Sequence, residues 1–383
     1  MSAGGSTQGA RPLRPEGGRD AARAASPGEV PLISVVVRSM DPPTLPRALA
    51  SIALQDHPSV EVVLVAACGP SHRPIDASAY PFRLNWVVRD GPLPRPVAAN
   101  AGIEAATGEF VTMLDHDDEF LEGHLSALVA ALGADPGAGA AYTRFEVFEQ
   151  GALFTTVGRP FHRIALLEKS YIHHSGLLYR RSLLDTGIRY DTALDIHDDW
   201  DFVLQLAEKT RFVFVDRASF RWHADTGTSG GGGLGNFDAE KFSRQHDYVR
   251  AKWAHVHERC VAQYRDAMER ATAQAGANDL AGAEATLRAL ESEAGDDPDL
   301  LNLLAMVRHR AGAPREAAAL MERAVRGRPD DANLWFNSGI ACTAASMPGA
   351  ARHCFERAIA LAPGHAGARS WLERLEGGPA APR

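Results

Sequence analysis

Two periods of apolar and polar positions run along this chain, and the first half reads as strands covered on both faces with amphipathic helices between them. Pro31-Leu-Ile-Ser-Val-Val-Val-Arg38 is a nearly continuous β-branched run, the pattern of a fully buried strand. Ser39-Met40-Asp41-Pro42-Pro43 then turns the chain into a predicted helix over about 45–55, with apolar residues at Leu45, Leu49, Ile52 and Leu54. Buried strands follow at 60–66 and 84–88, then a helix at 97–106 and a short strand at 109–114. This repeated strand, helix, strand order predicts right-handed parallel crossovers, hence an α/β fold with its site at the carboxyl ends of the strands. Asp41, the Ala67-Cys68-Gly69 loop and Asp115 fall on that edge. Further on, the pattern predicts a strand at 140–148 and a helix at 200–207 whose Phe202, Val203, Leu204 and Leu206 pack on the sheet. Two more strands are expected at 212–215 and 219–222.

From about Val261 the spacing becomes purely helical and an internal period appears. Leu301, Ala305, Ala317, Met321, Ala324 and Pro329 recur 34 positions later as Trp335, Gly339, Ala351, Phe355, Ala358 and Pro363. A fainter copy precedes them at Ala283, Leu287 and Leu290. This is the length and the large-and-small pattern of tetratricopeptide repeats, in which small residues let two helices approach and aromatics fill the gap between repeats. Segment 366–375 is expected to cap the array. The organisation read from sequence is a leader at 1–29, an α/β domain at 30–258 and an all-α TPR solenoid at 259–383 that binds a protein partner. The leader, rich in Gly, Ala, Arg, Pro and Ser with no apolar core, reads as disordered and not as a signal peptide.

Charge and cysteine usage narrow the function classes. The 383 residues carry 40 Lys and Arg against 48 Asp and Glu, a formal net charge of −8, which argues against a nucleic-acid footprint. Cys68, Cys260, Cys342 and Cys354 lie far apart without a C-x-x-C pair, so neither a zinc site nor a disulfide framework is suggested. A cytoplasmic setting fits, with peripheral association at the inner face of the membrane left open. No apolar stretch approaches the roughly 20 residues of a transmembrane helix.

Chemistry concentrates at Leu114-Asp115-His116-Asp117-Asp118, where an apolar strand ends in three carboxylates. In extended geometry Asp115 and Asp117 project to one side and can share a divalent ion, and Mg²⁺ or Mn²⁺ fills its remaining positions with water and phosphate oxygens. The plainer alternative is an acidic cap on the following helix. A second cluster, Asp198-Asp199-Trp200-Asp201, opens another helix; N-capping accounts for one such Asp and poorly for three.

Ile33-Ser-Val-Val-Val-Arg-Ser, Ala99-Asn100-Ala-Gly102-Ile, Ala106-Thr-Gly108-Glu-Phe-Val and Leu114-Asp-His-Asp-Asp together resemble the nucleotide-binding half of a family-2 glycosyltransferase. The resemblance continues through Ser175-Gly-Leu-Leu-Tyr-Arg180-Arg181, the Asp198 cluster and Arg221-Trp222-His223, and covers roughly 32–236. It implies a GT-A (Rossmann-like) domain and a metal-dependent inverting transfer from a nucleotide-diphosphate sugar, UDP- or dTDP-linked, to a glycan, lipid-linked or protein acceptor. By resemblance Asp199 is the catalytic base, with Asp198 where the family usually has Glu. Asp115, Asp117 and His223 would hold Mn²⁺ or Mg²⁺, and Arg95, Asn100, Asp115 and Arg181 would orient the donor. The family often carries an acidic residue after the second strand that contacts the nucleobase; Ala66-Ala67-Cys68-Gly69-Pro70 has none, which shifts that contact to Ser39 or Asp41. His116, His124, His173 and His174 read as structural. The Gly-rich segment 226–236 is equally a linker or a loop that closes over the donor. An inactive scaffold is the alternative from another class, though both carboxylate clusters speak against it. A nucleotidyltransferase would need a Gly-rich loop where Arg38-Ser-Met-Asp-Pro-Pro stands.

Overall fold

The computed structural model describes residues 30–226 and 237–376. The leader at 1–29 and all but the first residue of the Gly-rich segment lie outside the described residues.

The buried apolar run forms β1 (Ile33–Ser39), and α1 (Leu45–Ala53) returns the chain to β2 (Val60–Ala66). β3 (Arg83–Val88), α2 (Arg95–Ala105) and β4 (Phe110–Asp115) follow as the pattern predicts. β1 pairs in parallel with both β2 and β4, and β2 with β3, so the parallel half forms as expected. Gly102 is needed where α2 crosses the sheet, because a Cβ there would come within 2.2 Å of the Val36 side chain. The second half adds β5 (Glu119–Phe120), α3 (His124–Ala134), β6 (Ala138–Glu149), β7 (Ala152–Val157), α4 (Arg163–Glu168), β8 (Leu177–Arg180), α5 (Asp198–Ala207) and β9 (Arg211–His223). The strands join one mixed sheet in the order β3-β2-β1-β4-β8-β6-β9-β5, with β7 paired to β6. The strands expected at 212–215 and 219–222 are a single strand. Register shifts against β6 near Thr143 and Arg144 absorb the intervening residues, as a bulge does.

One face of the sheet buries Leu45, Leu49, Leu125, Leu128 and Leu132 from α1 and α3. The other buries Ala98, Ile103, Trp200, Phe202 and Leu206 from α2 and α5, together with Val249 and Val256 from the next helix. That helix, α6 (Ala239–Gly276), is 38 residues long and runs without a break through the expected boundary between 258 and 259. Its first half packs on the α/β domain, where Trp253 Nε1 donates to the buried Asp201 carboxylate at 2.8 Å. Its last turns bury Ala271 and Ala275 in the helical core.

The helical array continues with α7 (Leu280–Ala294), α8 (Pro298–Arg310), α9 (Pro314–Gly327), α10 (Ala332–Ala344), α11 (Pro348–Leu361) and α12 (Ala366–Glu376). The helix pairs match the 34-residue period: Leu301, Ala305, Ala317, Met321 and Ala324, and likewise Ala351, Phe355 and Ala358, are buried at the pair interfaces. At Gly339 a Cβ would lie 2.4 Å from the Phe355 ring, so the small residue lets that ring seat. A second attachment reaches the array from α4 and the segment before it. Arg159 grips Asp296 with two hydrogen bonds of 3.0 Å each, Arg163 pairs with Glu293, and His162 Nε2 lies 3.5 Å from Asp297, which also accepts from Tyr264 of α6 at 2.6 Å.

Candidate active site

β1 and β4 lie side by side with Arg38 opposite Asp115, so the last residues of both strands reach the carboxyl edge together. Arg38 is a guanidinium inside an otherwise apolar strand, 5% exposed, and burial of such a charge requires partners. It donates to Asp115 Oδ1 at 2.8 Å and to Asp198 Oδ2 at 2.9 Å, tying the end of β4 to the start of α5. His174 Nε2 donates to the other oxygen, Asp115 Oδ2, at 3.0 Å, and Arg95 at the start of α2 stands 4.0 Å from it. Burial pushes the Asp115 carboxyl up, but the Arg38 charge, His174 and Arg95 outweigh it and hold the group well below the usual carboxylate range. Asp198 is lowered in the same way, burial opposing and Arg38 and Arg95 prevailing. Asp118 goes the other way: burial, then Asp117 and Asp115, raise it well above the ordinary value. Its carboxylate faces inward, where Oδ1 accepts from the His223 backbone N–H at 2.9 Å.

A cavity of about 450 Å³ opens on this edge, and Arg95, Asp115, Asp117 and Asp199 all line it. Asp117 Oδ2 accepts from the Thr226 hydroxyl at 2.9 Å, and Asp199 Oδ1 accepts from the Trp200 N–H at 2.8 Å. Two carboxylate groups more than eighty residues apart in sequence thus face one space.

Five other predicted site residues are turned elsewhere. His223, expected on the metal, directs Nε2 to Glu119 at 3.2 Å, because its place in β9 beside β5 aims the ring away from the cavity. Arg181 donates to the Gly108 carbonyl at 2.8 Å, at the start of β4, the edge opposite Asp115. Both polar atoms of the Asn100 side chain are satisfied by the Tyr190 backbone at 2.9 Å, which makes it a brace between α2 and the loop before α5. Ser39 is wholly buried and its hydroxyl pairs with His72 Nε2 at 2.7 Å. Asp41 adopts a left-handed backbone with φ 60°, and its carboxylate accepts from Arg73 Nε at 2.7 Å, which lowers its pKa.

Two histidines read as structural stand in the site instead. Asp115, His173 and His174 bring ligand atoms within 4.8 Å of one another. His174 Nδ1 is also buried without a protein hydrogen-bond partner. A mixed carboxylate and imidazole set of this kind suits Mn²⁺, with Asp117 lining the same cavity and His223 outside the set. Burial, then the neighbouring His174, lower the His173 pKa to about 4, and its Nδ1 accepts from the Ser175 N–H at 3.2 Å, so that ring is neutral with its proton on Nε2. Arg38 had a signal in the sequence, a charge within a buried β-branched run. His173 and His174 had none, since only the fold carries them to Asp115.

The family model described as Glycosyl transferase family 2 matches residues 33–187. The protein y4gI of Sinorhizobium fredii is 26% identical over 210 residues, 52% of this chain and 23% of that protein, so the chain spans less than a quarter of that relative. A PGL/p-HBAD biosynthesis glycosyltransferase of Mycobacterium tuberculosis is 30% identical over 200 residues, covering 50% of this chain and 77% of that enzyme. Among solved structures, S. aureus TarS 1-349 in complex with UDP-GlcNAc aligns over 90% of each chain at 14% identity and a TM-score of 0.44, a likeness too slight to argue from.

Proposed function

The chain belongs to glycosyl transferase family 2 and is a glycosyltransferase, and we propose that it moves a sugar from a nucleotide-diphosphate donor, UDP- or dTDP-linked, to an acceptor hydroxyl with inversion at the anomeric carbon. The observation that carries this reading is that Asp115 and Asp117 share one cavity with Asp199. The Trp200 N–H fixes the Asp199 carboxylate at the start of α5, and Arg38 neutralises its neighbour Asp198, so one carboxylate is left facing the cavity to act as base. Asp199 takes the acceptor proton as the hydroxyl oxygen bonds to the anomeric carbon and the bond to the diphosphate oxygen breaks. Arg95, about one-third exposed on the same wall, offers positive charge to the departing diphosphate. Asp115 and Asp117, with His174, would hold Mn²⁺ or Mg²⁺, whose charge offsets that of the leaving group. The acceptor belongs to the glycan, lipid-linked or protein classes, and the repeats recruit a protein partner.

The reading is tested by incubating the purified protein with UDP-, dTDP- and GDP-sugars and Mn²⁺ or Mg²⁺, and measuring nucleotide-diphosphate release with and without chelator. Release that depends on the metal and falls on Asp199→Asn is expected. No release from any donor, with the protein shown to be folded, would overturn it.

A further inference from the structure

Resting on the transferase reading above, we propose that the acceptor is uncharged and presents the face of a ring beside its hydroxyl, and that Trp222, Tyr171 and Phe242 select it. The charged and the aromatic parts of the cavity come from different parts of the fold. Arg38, Arg95, Asp115 and Asp117 belong to β1, α2 and the end of β4, whereas the rings come from β9, the segment after α4 and the first turns of α6. Asp199 sits in α5, beside Trp200 and so with the rings.

The polar tip of Tyr171 is already committed: its hydroxyl accepts from the His162 N–H at 2.8 Å and donates to the His162 carbonyl at 3.3 Å. Tyr171 and Phe242 therefore offer the cavity carbon surface and not donors. Their orientations are set by other rings: Trp222 stands edge-on to Phe145 at 6.4 Å and leans on His173 at 6.0 Å, while Phe242 meets His197 edge-on at 4.5 Å. Trp222, Tyr171 and Phe242 are each only half-buried. Half-buried rings held by their neighbours are ready stacking surfaces.

The charge balance excludes an anionic acceptor. Beyond Arg38 and Arg95, Lys169 is the only Lys or Arg lining the cavity among the described residues, and Glu168 and Asp199 line it too. Arg38 is already paired with Asp115 and Asp198. With Arg95 given to the donor diphosphate, a phosphate-bearing acceptor would face Glu168 and Asp199 with Lys169 alone to offset them, a cost that a neutral ring does not carry.

The ring could be the acceptor's own sugar or an aryl group, and the test separates these sources. The full chain, saturated with UDP and Mn²⁺, is titrated calorimetrically with p-nitrophenyl β-D-glucoside, methyl β-D-glucoside and glycerol 3-phosphate. Binding of a ring probe is expected, weakened at least about tenfold in Trp222→Ala and restored to within about threefold in Trp222→Phe, with the melting temperatures of both variants close to wild type. Binding of the aryl glycoside alone identifies an aryl ring; equal binding of both glycosides identifies the sugar. The proposal is overturned if neither glycoside binds a protein that binds UDP, if glycerol 3-phosphate binds more tightly than either, or if Trp222→Ala keeps wild-type affinity. Failure to bind UDP itself would instead remove the transferase reading on which the proposal stands.

Discussion

Cutting the chain after Lys252 is expected to destabilise the transferase domain, although from sequence the repeats begin only after residue 258. A chain of residues 30–252 is compared with one of residues 30–276, which keeps the whole of α6. The shorter chain loses Val256, 2% exposed in the core under α5, and burying a valine stabilises by about 1.5–3 kcal/mol. It also loses Trp253, whose indole N–H reaches Asp201, a carboxylate with no exposed surface, and a hydrogen bond to a charged group contributes about 1.5–3 kcal/mol. Lys252 bonds the same Asp201 at 3.0 Å and Asp191 at 2.7 Å, and as the last residue of a fraying helix it would hold neither well. The first two losses together come to roughly 3–6 kcal/mol, against a typical domain stability of about 5–15 kcal/mol. At about 2–4 °C per kcal/mol for a chain of this size, the melting temperature should fall by roughly 6–24 °C. Thermal unfolding followed by circular dichroism in one buffer measures this. Two chains melting within about 3 °C of each other would refute the claim that the second half of α6 belongs to the transferase core.

Three further outcomes follow from the site and its attachment to the repeats. Asp117→Ala should abolish Mn²⁺-dependent UDP binding in calorimetry while leaving the melting temperature nearly unchanged, since Asp117 faces the cavity and not the core; wild-type binding would remove it from the ion site. Asp199→Asn should keep UDP affinity and lower turnover by about 10²-fold or more, the scale of a lost general base, as read from initial rates at saturating donor. Asp297 joins the repeats to the transferase: burial raises its pKa, but hydrogen bonds from His162 and Tyr264 dominate and bring it down to about 2. A depressed carboxylate stabilises above its unfolded pKa near 4 and loses that contribution as pH falls toward 2, so Asp297→Asn should lower the melting temperature at pH 7 and by a diminishing margin between pH 4 and 2. A margin independent of pH over that range would mean that Asp297 acts only as the cap of α8.

What the sequence determined by itself was whatever local period and residue type decide. A β-branched run must be covered on both faces, so β1, β2 and β4 and their helical crossovers were legible, as was the 34-residue repeat, in which Gly339 and Phe355 are chosen for each other across a helix pair. The positions of Asp115 at a strand end and Asp199 at a helix start were legible too, because the apolar periods that flank them are local. Direction and company were not legible. Asp115 and Asp118 lie three positions apart, yet Arg38 and His174 hold one charged while burial and the neighbouring Asp117 and Asp115 raise the other, and no sequence rule distinguishes them. From sequence His223 read as the metal ligand and His174 as structural; the pairing of β9 with β5 sends His223 to Glu119, and the turn before β8 sends His174 to Asp115. Arg181 follows a strand that runs antiparallel to β4, and that pairing alone places it at the far edge of the sheet. The unbroken α6 is the largest case. Its helical period says nothing about which core each turn serves, and only the assembled structure shows one face passing from the transferase to the repeats, because burial is decided by what packs alongside and not by the helix itself.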